Sequence, residues 1–251
     1  WSLLATQHLG AVPVPLYQDA VSDEMEYILT HSNSAYAIVG DQEQVDKIQD
    51  LSSKLKNLKD IVFVDPKGLR KYDKAHLHSF ESILEAGDKS GDKVQKELQT
   101  RIDKITGQTT CVLIYTSGTT GKSKGVVQTH GAIIGASMSA NEHDGLTKDD
   151  FLLSYLPMAW VGDYMISVGQ GMAAGACINC PEGADTFQVD LREVGPTFFL
   201  GPPPLWERIK TSVYIRIEDA ASIKRKAFNY FMKHAGRVGR DILERKPVGF
   251  I

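Results

Sequence analysis

Cysteine is scarce: three residues in a chain of 251 cannot build a cross-linked scaffold, so stability must come from an ordinary hydrophobic core and a reducing, cytoplasmic setting is expected. Net charge is scarce too. The 28 Lys and Arg against 31 Asp and Glu leave −3, which excludes the broad basic footprint of a general nucleic-acid binder. Long apolar runs are also missing. The most apolar stretch, residues 164–180, is about as long as the shortest membrane-spanning helix, but Gln170 and Asn179 interrupt it and Gly169, Gly171 and Gly175 weaken it. It reads as a helix from near Gly162 to Ala174, stopped by Gly175, then a short strand from Ala176 to Cys180. No internal repeat or low-complexity tract appears.

What is present is a globular composition, 42% hydrophobic and 24% charged. The chain opens on Trp1 within what looks like mid-domain core and closes on Phe250-Ile251, so it is expected to be a piece of a longer protein. Pro13 and Pro15 demote the strand-like segment from Leu9 to Leu16 to an edge or loop. A helix is expected from Ser22, with Ser22 as a good cap, then a strand over residues 35–39 and an amphipathic helix over 41–55 with Val45, Ile48 and Leu55 inward. A strand over 61–64 follows. This alternation indicates an α/β fold with a largely parallel sheet, expected as layered sheets with helices on both faces. Residues 67–104 are polar and read as surface. Residues 222–243 read as one long helix, with Lys224, Arg225, Lys226, Lys233, Arg237 and Arg240 on one side.

The chemistry concentrates in Tyr115-Thr116-Ser117-Gly118-Thr119-Thr120-Gly121-Lys122-Ser123-Lys124-Gly125. Gly121-Lys122-Ser123 matches the end of a Walker loop, but Thr116 stands where that motif's first glycine belongs. The following Gly125, Val126 and Val127 suit a strand, whereas a Walker loop opens directly into a helix. The stretch still has the parts of a phosphate cradle. Gly118 and Gly121 permit unusual backbone angles, so amide N–H groups can converge on an anion. Thr116, Ser117, Thr119 and Thr120 add hydroxyls, and Lys122 and Lys124 add positive charge. An ordinary hairpin turn needs none of this, only one glycine and an Asn or Asp.

At these residues the sequence resembles the adenylate-forming (AMP-binding) superfamily, whose signature loop reads like Thr116 to Gly121, then Lys124-Gly125. Ser123 stands where that family usually has proline. Gly10 to Leu16, Thr129-His130, Leu156-Pro157-Met158 and the segment from Pro196 to Ile209 are similar to further family elements. Ala159-Trp160-Val161-Gly162-Asp163 and the basic helix look most like long-chain fatty acyl-CoA synthetases. The resemblance implies an incomplete N-terminal AMP-binding domain over 1–251, divided at 105/106, with the C-terminal domain absent and the fragment alone inactive. It implies ATP, Mg²⁺ and coenzyme A as cofactors or co-substrates and a fatty acid as substrate. It also implies Lys124 and Thr119 as catalytic residues, the loop from Thr116 to Lys124 as the nucleotide-phosphate site, and Thr120 as a metal contact. Trp160 and Tyr164 become candidates for the acyl pocket; for both, ordinary core packing is the competing reading. Two alternatives stand beside the ligase: a nucleotide-binding module without catalysis, and an adenylating enzyme for another carboxylic acid.

Other signals carry less. Cys177-Ile178-Asn179-Cys180 lacks a second cysteine pair for a metal site, and His76-Leu77-His78 lies in a polar segment. Gly201-Pro202-Pro203-Pro204 reads as the turn into the next helix more readily than as a polyproline ligand. The basic face of the 222–243 helix reads as solvated, with peripheral contact to anionic lipid as its alternative; a homodimer is a further partner considered.

Overall fold

The structure, a computed structural model, describes residues 1–116 and 121–248. Two compact units divide the chain, Trp1–Phe198 and Phe199–Ile251, and position 105 lies inside the first.

The first unit opens with α1 (Ser2–His8) and α2 (Ser22–His31). Helix α2 begins where expected, but Val21 is its N-cap and no side chain caps it, so the anticipated Ser22 cap is not formed. Its acidic first turn, Asp23 and Glu24, complements the helix dipole instead. Strands β1 (Tyr36–Val39), β2 (Asp60–Phe63) and β3 (Leu77–Ser79) pair in parallel in that order. Helix α3 (Gln42–Asp50) connects the first two, started by a capping box in which Asp41 accepts from Glu43 N at 2.9 Å and Gln44 Oε1 accepts from Asp41 N at 3.0 Å. Val45 and Ile48 turn inward as their spacing requires; the helix stops at Asp50, short of the expected 55, yet Leu55 is still buried and joins them with Met25, Leu29 and Phe63 in one core cluster. Helices α4 (Phe80–Asp88) and α5 (Asp92–Ile102) bury no residue, consistent with the polar composition there.

A second core cluster is built around β4 (Thr110–Thr116), from Cys111, Val112, Ile114, Ile133 and Tyr164. Strand β5 (Lys124–Thr129) returns antiparallel to β4, a departure from the parallel rhythm of the earlier strands. Helix α6 (His130–Asp144) follows, with Thr129 as N-cap accepting from Ala132 N at 3.2 Å. The Thr129-His130 pair noted in the sequence therefore has a local structural task. Strand β6 (Phe151–Leu153) pairs in parallel with β7 (Cys177–Asn179). Between them a helical segment runs as α7 (Val161–Asp163), a wider π-helical stretch (Tyr164–Gly171) and α8 (Met172–Ala174), ended by Gly175 at φ 72°. None of the described helices is long and apolar enough to cross a membrane.

The π-helical stretch packs closely on α6. A Cβ at Gly169 would lie 2.4 Å from Ser137 Oγ, and that oxygen is fully buried with no hydrogen-bond partner among the described residues. Gly169→Ala should therefore destabilise by about 1–3 kcal/mol through overpacking. Ser137→Ala should be nearly neutral or stabilising, because the orphaned hydroxyl costs more than it contributes. The double variant should recover most of the loss. A double-mutant cycle of urea unfolding reads all three, and additive effects would contradict this packing.

After α9 (Phe187–Val194), the second unit is a helical pair, α10 (Pro203–Glu218) and α11 (Ser222–Leu243). Proline in the first turn of α10 matches the turn-then-helix reading of residues 201–204. Tyr214 and Phe228 meet edge to face across the pair, with ring centres 5.4 Å apart. Helix α11 runs over the expected 222–243 and buries no residue.

Candidate functional site

Strand β4 carries the chain from the core to the surface within one residue. Val112 and Ile114 are almost fully enclosed and Tyr115 is 8% exposed, whereas Thr116 is exposed. The chain returns through Gly121, Lys122 and Ser123 into β5, which pairs Thr116 with Lys124 and Tyr115 with Gly125. Two of the expected phosphate-site residues, Thr116 and Lys124, are thus cross-strand neighbours at the mouth of the hairpin. Both Lys122 and Lys124 are exposed. Ser117, Gly118, Thr119 and Thr120 lie outside the described residues; the expected roles of Thr119 in catalysis and Thr120 at a metal fall there with them.

Gly121 has φ 123°, a conformation that side-chain-bearing residues rarely adopt, and a Cβ there would meet no described residue within 4 Å. Glycine is required at this point by the backbone path, not by crowding from the described residues. Gly125 is favoured for the opposite reason, close packing: a Cβ there would sit 3.0 Å from Leu113 Cδ1 and 3.3 Å from Tyr115 Cζ. The hairpin ends in strand, not helix, which excludes the Walker geometry at Gly121-Lys122-Ser123.

Helix α2 reaches this hairpin. The Tyr27 hydroxyl donates to the Ser123 carbonyl at 3.0 Å, and Lys122 Nζ sits 5.0 Å from the centre of the Tyr27 ring. His31 Nδ1 is 2.6 Å from the Tyr115 hydroxyl. Burial pushes the Tyr115 phenol up from its ordinary value. These aromatic contacts were missed in the sequence; the available signal was Tyr27 and His31 one helical turn apart.

The acyl-pocket candidates separate. Tyr164 is 1% exposed, and its hydroxyl accepts from Gln7 Nε2 at 3.0 Å while Gln7 also donates to Cys111 O at 2.8 Å. Burial pushes its phenol strongly upward. These contacts tie Tyr164 into the core around β4. Trp160 is half-buried, its ring lying over Gly162, where a Cβ would be 2.5 Å from Cη2.

Asp163 closes the Ala159–Asp163 segment, and nothing in the sequence assigned it a role of its own. It is 4% exposed and accepts from Ser154 Oγ at 2.8 Å and Ser167 Oγ at 3.4 Å. Burial pushes its carboxyl up, against those hydroxyls and the Leu156 N–H, which pull it down. The folded state thus keeps this proton to a higher pH than the unfolded chain, so the group's contribution to stability falls as pH rises from about 4 through the folded value. Asp163→Asn should remove that decline. The variant's stability relative to the parent should rise with pH across this window in urea unfolding; a difference flat in pH would contradict the burial effect.

His76 Nδ1 and His78 Nε2 flank Asp60 at 3.5 and 3.1 Å, and Cys177 and Cys180 are free and exposed. No group of three or more His, Cys, Asp or Glu side chains among the described residues could hold a metal ion.

The profile of the AMP-binding enzyme family matches residues 1–240. The long-chain-fatty-acid–CoA ligase ACSBG2 of Homo sapiens is 28% identical over 245 residues, covering 96% of this chain and 35% of the relative. The chain therefore spans about a third of that relative's length. Among solved structures, the luciferase-like enzyme of the nonluminescent Zophobas morio mealworm superposes with a TM-score of 0.61 at 18% identity, over 78% of this chain and 43% of that one. ATP-bound MatB from Rhodopseudomonas palustris superposes with a TM-score of 0.57 at 21% identity, over 82% and 37%.

Proposed function

The chain belongs to the AMP-binding enzyme family, and from that premise we propose that it supplies the pyrophosphate-gripping hairpin and part of the acyl wall of an ATP-dependent long-chain fatty acid–CoA ligase. The observation that carries the reading is the β4–β5 hairpin itself. It brings Thr116 and Lys124 together at an exposed mouth, with a glycine in a left-handed conformation between them.

In the proposed reaction a fatty carboxylate oxygen attacks the α-phosphorus of ATP. The bond to the bridging oxygen breaks, and acyl-AMP and pyrophosphate result. The thiolate of coenzyme A then attacks the acyl carbonyl and releases AMP. The carboxylate is already ionised at neutral pH, so the first step needs no general base. It needs two anions brought together and the growing charge on the leaving pyrophosphate met by fixed donors. Lys124 and Lys122 supply positive charge for this, with the hydroxyls and amides of the loop as further donors. Mg²⁺ would act as a counter-charge to the phosphates; among the described residues no group of three or more His, Cys, Asp or Glu side chains could hold it. Trp160 is proposed as a wall of the acyl site.

The fatty-acid part of the reading is supported by the human relative's name and by the Trp160 segment. ATP–pyrophosphate exchange by the complete polypeptide tests it. Exchange should depend on palmitate, with benzoate and amino acids at least about tenfold weaker. Exchange driven only by benzoate or an amino acid would overturn the long-chain assignment, and none with any acid would favour a binding module without catalysis.

A further inference from the structure

Helix α2 holds both legs of the hairpin, a task that the adenylation chemistry does not assign to it. Tyr27 and His31 stack, with ring centres 5.4 Å apart and planes 25° from parallel. Tyr115, the penultimate residue of β4, stands edge-on to both, 6.3 Å from Tyr27 and 5.8 Å from His31. The outgoing leg is fixed through the Tyr115 hydroxyl at His31 Nδ1, and the returning leg through the Ser123 carbonyl at the Tyr27 hydroxyl. Lys122 is held by its ammonium over the Tyr27 ring. Gly125 completes the arrangement: a Cβ there would lie 3.3 Å from Tyr115 Cζ across the strand pair, so the ring packs tightly against the glycine.

We propose that Tyr27 and His31 are positioning residues for nucleotide binding: they fix the separation of the hairpin legs and hold Lys122 ready for the phosphates. The inference rests on the hairpin being the phosphate site. Its physical basis is that donors aimed in advance at an anion bind it without the cost of ordering long side chains. Lys122 is an exposed side chain on a four-carbon stem, so the aromatic face of Tyr27 limits the space it samples.

Two substitutions separate the two contacts. Tyr27→Phe keeps the ring under Lys122 and deletes the bond to Ser123. Tyr27→Leu deletes both, and the half-buried position of Tyr27 makes it tolerable to the fold. Calorimetric titration of the complete polypeptide with MgATP should give dissociation constants about threefold weaker for Phe and about tenfold weaker for Leu. In steady-state exchange the same variants should raise KM for ATP while leaving KM for the carboxylic acid unchanged, a split that general loss of stability would not produce. His31→Gln, whose amide can still bond the Tyr115 hydroxyl, should retain most of the affinity, and His31→Ala should lose about threefold. Unchanged ATP affinity in Tyr27→Leu beside a lowered unfolding midpoint would overturn the inference, leaving α2 as a brace for the fold alone. Failure of the parent protein to bind ATP would instead overturn the functional reading beneath it, and the inference with it.

Discussion

Lys124→Ala should lower ATP–pyrophosphate exchange in the complete polypeptide by about a hundredfold or more, the scale seen when one preorganised donor to a developing negative charge is removed. Lys124 opens β5 opposite Thr116, is exposed, and pairs with no carboxylate among the described residues. An unpaired, exposed lysine at a strand end adds little to folding, so the unfolding free energy should move by less than about 0.5 kcal/mol. The combination of a large kinetic effect with unchanged stability is the expected signature. Lys124→Arg should restore only part of the rate, because the planar guanidinium places its charge differently from an ammonium. An alanine variant with parental exchange would remove Lys124 from the mechanism.

Gly121→Ala should be nearly as damaging, by a different physical route. At φ 123° the backbone occupies a region that costs a residue with a Cβ about 1–3 kcal/mol. No described residue lies within 4 Å of the position a Cβ would take, so the substitution is expected to act through the backbone path. Relief of the strain would move Lys122 and Ser123, and displacement of a binding group by about 1 Å can cost about a hundredfold in rate. Exchange should fall by about ten- to a hundredfold, chiefly through KM for ATP. A matched alanine at Gly145, the φ 70° stop of α6, should cost stability with little change in KM for ATP. If the two glycine variants behaved alike, the special role of Gly121 would be lost.

The hairpin was legible because its signals are local. Cys111 to Tyr115 is an unbroken apolar run, Val126 and Val127 are β-branched, and the glycines and hydroxyls between them are unlike an ordinary turn. Helix α11 and the Gly175 stop were legible for the same reason. The α2 contacts were not, since Tyr27 meets Ser123 across 96 residues and no local pattern reports such a pairing. Tyr164 was ambiguous because an aromatic ring suits a core and a ligand wall equally; Gln7, 157 residues away, is what ties it into the core. The missing Ser22 cap reflects a helix start one residue earlier than the hydroxyl needs: Val21 holds the N-cap position and has no side-chain oxygen to accept from the first-turn N–H groups. The separation into one core around β1–β3 and another around β4 also depends on which apolar faces meet, which periodicity alone does not encode.

On the proposed reading, the turn between β4 and β5 grips the outgoing pyrophosphate. A crystal structure of the complete polypeptide with a non-hydrolysable ATP analogue tests it most directly. The β- and γ-phosphate oxygens should lie within about 3 Å of amide, hydroxyl or ammonium groups of residues 116–124. Phosphates bound elsewhere, with this turn empty beside them, would contradict it.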